Sequence, residues 1–135
     1  MVQNSFIRKD VRDKGTKRTI KLPAISAGGL KQYTRDHPKL KGALTEYGAF
    51  NQVTILNNGS VDIEVSLDYS DSKTYPVVGS SSISLDETVF QEFNVKNLDS
   101  ANPTIADKIT IIVAYENPLL REHMKTKKEL FGGEY

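Results

Sequence analysis

The side chains able to do chemistry are few and scattered. The 135-residue chain has no cysteine, which removes thiolate nucleophiles, disulfides and Cys-ligated zinc. Its two histidines, His37 and His123, lie 86 positions apart, so no local His motif gathers a metal and little remains for His-based acid–base work. His37 precedes Pro38, where a helix can begin, and His123 sits among charged residues. Asp68, Asp71 and Asp86 fall at expected loop edges and could offer calcium its oxygens. Asp68-x-x-Asp71 is short of a full loop motif, however, and reads as solvated surface. Ser80-Ser81-Ser82 has no neighbouring base, and no G-x-S-x-G turn follows a strand. No G-x-x-x-x-G-K-[ST] cradle is present, and Gly28-Gly29 lacks dinucleotide-binding spacing and marks a bend. Asn58-Gly59-Ser60 matches a glycosylation acceptor, but the chain begins without an apolar signal segment, so the triplet reads as a turn. The expectation is a protein with no catalytic residue, no metal and no cofactor.

Charge, unlike chemistry, is organised. The formal net charge is +1, yet residues 1–41 carry a net +8 and residues 42–118 a net −8. A basic arm beside an acidic body can dock on an acidic protein surface, including that of the next copy, bind nucleic acid, or stay solvated. The protein partner is preferred, because Phe6 and Tyr33 are the only aromatics of the arm region and base stacking would be thin. Phe6 and Ile7 are the expected apolar anchors. Arg8, Lys9, Arg12, Lys14, Lys17 and Arg18 would meet carboxylates at the rim.

The elements that must position these residues follow from periodicity. Residues 1–16 read as an extended arm. Residues 17–22 alternate as a short strand stopped by Pro23, and the stretch from Ala24 to Leu30 reads as a loop. Tyr33, His37, Leu40, Leu44 and Tyr47 have helical spacing, but Pro38 interrupts it, so a helix is expected from about Pro38 to Gly48. FNQVTIL (50–56) and SVDIEVSLDY (60–69) flank Asn57-Asn58-Gly59. An Asn-Gly pair suits a type I′ turn, which predicts a hairpin of these two strands with Gly59 at positive φ. In the second run Val61, Ile63, Val65, Leu67 and Tyr69 form one dry face. Further strands are expected at 74–78, 81–85, 89–95 and 108–115, with a loop at 96–103. Turn signals every 8 to 12 residues point to an antiparallel sandwich or barrel. Asn117, Pro118 and the lysines 125, 127 and 128 predict a helix over 118–131 with Leu120, Met124 and Phe131 on one face. The expected organisation is an arm (1–16), a β-sandwich (17–117, with the helix near 38–47) and a C-terminal helix with tail (118–135). The longest apolar run, Ile111 to Tyr115, is far below the roughly 20 residues of a bilayer span, so no membrane partner is expected.

The stretch Val53 to Tyr115 resembles the small β-sandwich and jelly-roll subunits that complete or decorate virus particles, especially those of bacteriophages and archaeal viruses. VTILNNGSVDIEVSLDY, YPVVGSSSISL, FQEFNVKNLD and KITIIVAY carry the resemblance. It implies a mainly antiparallel β-sandwich of jelly-roll type. The implied role is a non-enzymatic structural subunit of the virion (capsid, vertex or tail accessory), forming a homo-oligomer with other virion proteins as partners. Nucleic acid is the other partner open to the basic arm. The resemblance supplies no catalytic residues. The alternative function is a ligand- or receptor-recognising sandwich such as a glycan-binding module, which the absence of tryptophan disfavours. A cupin-like enzyme would need inward-facing His and carboxylate ligands, which two histidines outside the strands do not supply.

Overall fold

The computed structural model describes residues 17–116. The expected arm over 1–16 and helix over 118–131 lie outside the described residues. In chain order the elements are β1 (Arg18–Lys21), β2 (Leu30–Tyr33), α1 (Pro38–Tyr47), β3 (Phe50–Asn57), β4 (Ile63–Leu67), β5 (Thr74–Val77), β6 (Ser81–Phe90), β7 (Phe93–Asn97) and β8 (Ile109–Ala114). A 3-10 turn, Asp71–Lys73, precedes β5.

The strands form two four-stranded sheets in the orders β1-β8-β3-β6 and β2-β7-β4-β5, with every pairing antiparallel. First pairs with last, second with seventh, third with sixth and fourth with fifth. This is a long antiparallel ribbon bent at its middle and wound over itself, the topology of a jelly roll. The expected sandwich is therefore present, and apart from β4 and β5, which pair within one sheet, consecutive strands lie in opposite sheets.

That winding corrects the expected β3–β4 hairpin. β3 pairs with β6 and β8, and β4 pairs with β5 and β7. The chain between Asn57 and Ile63 crosses from one sheet to the other, and Gly59 does not take up a left-handed φ. The Asn57 side-chain oxygen instead accepts the Gly59 N–H at 3.1 Å. Placing the two alternating runs in facing sheets lets both bury their apolar faces in one core, which outweighs the local turn preference.

The core is supplied by alternate residues of both sheets. Val53, Ile55, Ile111 and Val113 face Ile63, Val65, Leu67, Phe93 and Val95, all fully or nearly fully buried. Phe50 and Phe90 pack at 5.6 Å between ring centres, and Tyr33 stacks on Phe93 at 5.0 Å. The dry face of β4 ends at Leu67, because Asp68 and Tyr69 both turn at positive φ and Tyr69 stays exposed. The expected helix forms as α1. Pro38 opens it, His37 Nδ1 accepts the Lys39 N–H at 3.1 Å, Gly48 closes it at φ 83, and Leu40 and Ala43 bury its inner face.

Candidate functional site

Sheet order decides which charges meet. β1 and β2 are the edges of their sheets on one flank, and β5 and β6 are the edges on the other. Lys17, Arg18, Lys21 and Lys31 lie on the first flank with Lys39 of α1 beside them. Arg35 instead reaches Gln91 and Glu92, just beyond the end of β6. The Lys39 ammonium donates to the Thr19 carbonyl at 3.4 Å and so ties α1 to the β1 edge. Asp62 and Glu64 around β4, Asp71 after it, and Asp86 and Glu87 on β6 lie toward the opposite flank. Asp68 sits beside Gln91 and Glu92, which also take the Arg35 contacts. Lys73 lies 3.8 Å from Asp68. β1 and β6 are three strand spacings apart, or about 14 Å. Lys17 and Arg18, at the start of β1, are the two expected contact residues that the described region contains. Arg18 donates to the Lys17 carbonyl at 3.0 Å. Phe6, Ile7, Arg8, Lys9, Arg12 and Lys14 lie outside the described residues.

One end of the sandwich is built from the crossing segments. A surface cleft of about 370 Å³ there is lined by Asn57, Ser60, Val61, Asp99, Thr104 and Lys108 among others. Asn57 and Asn97 are buried beneath these loops and fully hydrogen-bonded. The Ala101 and Asn102 backbone N–H groups, at 2.7 and 2.9 Å, hold the Asp99 carboxyl below its ordinary pKa, helped by the Asn102 side chain. The Thr104 hydroxyl oxygen accepts from Ile25 N–H at 2.7 Å. The cleft is a notch between loops. The space between the sheets, where a barrel would hold a ligand, is filled by Phe50, Phe90, Phe93 and the aliphatic core.

The other sequence candidates separate. Asp68 accepts from the Gln91 and Glu92 backbone N–H groups at 2.8 and 3.2 Å, which accounts for it as a turn-fixing carboxylate. Among the described residues no group of three His, Cys, Asp or Glu side chains is placed to hold a metal. Ser81 donates to the Val78 carbonyl, Ser80 makes the turn at φ 60 and Ser82 is exposed on β6. Among the described residues no helix is long and apolar enough to cross a membrane. Sequence reasoning missed two features of this surface, the buried asparagine pair and the position of β6 as an edge strand among the described residues. An Asn at the end of each alternating run was the available signal for the first.

No protein-family model matches the sequence, and no curated protein matches it. Among solved structures the chain is similar to the cupin domain of Cnp3 from Schizosaccharomyces pombe. Identity is 11%, the match covers 81% of this chain and 59% of that one, and the TM-score is 0.42. It is also similar to the CENP-C cupin domain of Drosophila melanogaster, with 8% identity, coverage of 76% and 62% respectively, and a TM-score of 0.33. The chain thus spans about three fifths of the length of these solved chains. These are not virus-particle subunits, and the expected virion role is corrected on that finding. The strand pattern that carried the viral resemblance is the alternation any eight-stranded jelly roll must show, whatever it does.

Proposed function

We propose that this chain is a non-enzymatic β-sandwich that works by binding protein, further copies of itself included. The observation that carries the reading is the gathering of cations on the β1–β2–α1 flank and of carboxylates toward β4–β6. Opposed flanks of opposite sign attract the complementary flank of another molecule and fix its orientation. Each exposed pair contributes only about 0–1 kcal/mol, so several pairs must act together. The filled interior supports the non-enzymatic part, because the position a buried substrate would occupy holds Phe50, Phe90 and Phe93.

The test is the molar mass by light scattering across a salt series. The mass at low salt is expected above the 15.0 kDa of one chain and falls as the screening length shrinks from about 10 Å at 0.1 M to about 3 Å at 1 M. Reversing Lys21 and Lys31 to Glu should lower the low-salt mass. Adding Asp62→Lys and Glu64→Lys in a second molecule, mixed with the first, should restore it. A mass of one chain at every salt concentration sinks the reading.

A further inference from the structure

The four edge strands differ in how they are guarded against pairing. β1 is flanked by Lys17 and carries Arg18 and Lys21, and the Lys39 ammonium occupies the Thr19 carbonyl. β2 has four residues and includes Lys31, and β5 has four residues with Pro76 inside it. Charge, brevity and proline are the usual means of closing an edge. β6 is ten residues long, and Ser81 to Leu85 contain no Lys, Arg or Pro. This stretch stays in register with β3 from Asn57↔Ser81 to Gln52↔Asp86, and the ladder then shifts before Phe50↔Phe90, with Glu87 at φ 61. The edge is therefore straight over its first half and bulged beyond it.

Hydrogen-bond phase shows which groups the straight half presents. The Asn58 N–H donates to the Lys108 carbonyl at 2.9 Å. Antiparallel pairs alternate along a ladder, so Leu56 and Thr54 bond toward β8 and Asn57, Ile55 and Val53 toward β6. Ser81, Ile83 and Leu85 complete that ladder, and Ser82 and Ser84 turn their backbone N–H and C=O away from the sheet. Ile83 and Leu85 lie half-buried against the core.

We propose that Ser81–Leu85 pairs antiparallel with the same segment of a second copy, about a two-fold axis at Ile83, joining two β1-β8-β3-β6 sheets into one. This pairing goes beyond the flank contact of the proposed function, since it joins the β6 edges of two copies. Ser82 exchanges hydrogen bonds with Ser84 of the second copy, and Ser84 with its Ser82. Ile83 faces Ile83 in a non-hydrogen-bonded pair, where side chains approach most closely, and Ser81 faces Leu85. The arrangement is self-complementary, as a two-fold interface requires, and within Ser81–Leu85 it places no charge opposite a like charge. The carboxylates of the two acidic flanks come nearer to one another, which 1 M salt screens. The two Asp86 residues fall at opposite ends of the paired stretch, about 20 Å apart at roughly 3.4 Å per residue, beyond the screening length of about 10 Å at 0.1 M salt. Backbone bonds and apolar contact hold this pairing, so it persists in salt that removes flank contacts.

The experiment uses the full chain in 1 M sodium chloride. Sedimentation over a concentration series should show the wild type passing from monomer to dimer. Ser82→Pro removes an N–H that β3 does not use; it should keep the melting midpoint within a few degrees while raising the dimer dissociation constant at least tenfold. The protein has no cysteine, so Ile83→Cys introduces the only thiol. At the axis its Cα–Cα separation of about 4.5 Å lies inside the window for a disulfide. Mild oxidation should cross-link it far faster than Thr19→Cys on β1, the collision control. Equal cross-linking rates overturn the proposal even if the proline variant fails to fold, as does a folded Ser82→Pro that associates like the wild type. A wild type that is monomeric in 1 M salt but associates at low salt overturns the edge pairing and leaves the flank reading standing. A monomer under all conditions overturns both.

Discussion

Asn57 and Asn97 close the two sheets of the sandwich in the same way. Each is the last residue of its strand, β3 and β7 respectively, and each is fully buried. The Asn57 side-chain oxygen accepts the N–H of Gly59 at 3.1 Å, and that of Asn97 accepts the N–H of Asp99 at 2.9 Å. Their amide groups then hold passing loops. Asn57 donates to the Val61 and Val77 carbonyls, and Asn97 donates to those of Ile25, Ser26 and Asn102. An amide suits this place because it offers donors and an acceptor without a charge to desolvate.

Asn97→Ala should be the more damaging of the two deletions, since it strips three loop carbonyls and one N–H of their partner. A loss on the order of 3 kcal/mol is expected, against about 2 kcal/mol for Asn57→Ala. Asn97→Asp adds a sign test. Its carboxylate would face three carbonyl oxygens, so the folded state would favour the protonated acid and raise its pKa above the unfolded value. Stability should then improve as pH falls through that raised pKa. Chemical denaturation at pH 7.5 and pH 5 measures all three variants, and an Asn97→Asp protein that weakens at the lower pH more than the wild type does would count against the assignment.

His37 gives the helix start a pH dependence of the opposite sign. Burial first, then the charges of Lys31 and Lys39, lower its pKa below the ordinary 6.5. The ring must be neutral at Nδ1 to accept the Lys39 N–H. The folded state therefore binds fewer protons than the unfolded chain. The stabilisation is complete above pH 6.5 and is lost as pH falls from there through the lowered folded value. His37→Asn keeps a cap acceptor that does not titrate. Its melting midpoint should fall less between pH 7.5 and pH 5.5 than that of the wild type, by differential scanning calorimetry. An equal fall in the two proteins would exclude His37 as the source.

The turn after β4 holds two non-glycine residues in the left-handed region, Asp68 at φ 53 and Tyr69 at φ 56, and the Ser70 N–H closes it on the Leu67 carbonyl at 3.0 Å. Two-residue turns of this kind favour Asn or Asp followed by Gly. Asp68 fits and also holds the Gln91 and Glu92 N–H groups. Tyr69 carries the strain, and its hydroxyl reaches Glu92 only at 3.5 Å. Tyr69→Gly is expected to stabilise the protein by about 1 kcal/mol, seen as a higher melting midpoint. A lower midpoint would mean that the phenol contributes more than its conformation costs.

What the sequence reveals is local burial, and what it hides is pairing. The alternation in 50–56 and 60–69 and the apolar run 108–115 marked strands, and β3, β4 and β8 form within them. β2 escaped notice because only Tyr33 of its four residues is buried, leaving no period to detect. The run 89–95 read as one strand, yet Phe90 ends β6 and Phe93 begins β7 in the opposite sheet. Pairings such as Arg18↔Val113 join residues from the two ends of the described chain, and no local signal encodes them. The cations of the basic flank were countable in sequence, but only the winding of the ribbon brings Lys39 to the Thr19 carbonyl of β1. Whether β6 is an edge is a property of topology alone.

The segment between β3 and β4 provides the sharpest contrast between local preference and tertiary position. An Asn-Gly hairpin would require Gly59 for its φ and make Gly79 an ordinary loop residue. The folded geometry reverses their importance. A Cβ at Gly59 would meet the Asn57 side-chain oxygen at 3.5 Å and the Lys108 Cβ at 3.6 Å, ordinary contacts at a φ outside the left-handed region. A Cβ at Gly79 would lie 2.8 Å from the Ser60 carbonyl carbon and oxygen and 2.9 Å from the Gly59 carbonyl oxygen. These are backbone atoms, and they are held in place because Ser80 N–H donates to the Gly59 carbonyl and Gly79 N–H to the Asp62 carboxylate, both at 2.9 Å. Neither side of the contact can turn away as a flexible side chain would. Gly59→Ala should therefore be neutral or stabilising by up to about 1 kcal/mol through the unfolded chain's lost freedom. Gly79→Ala should cost about 1–3 kcal/mol as the two crossing segments are forced apart. Urea denaturation of both variants decides the matter. If Gly59→Ala proves the more destabilising, the β3–β4 crossing described here is wrong and the hairpin returns.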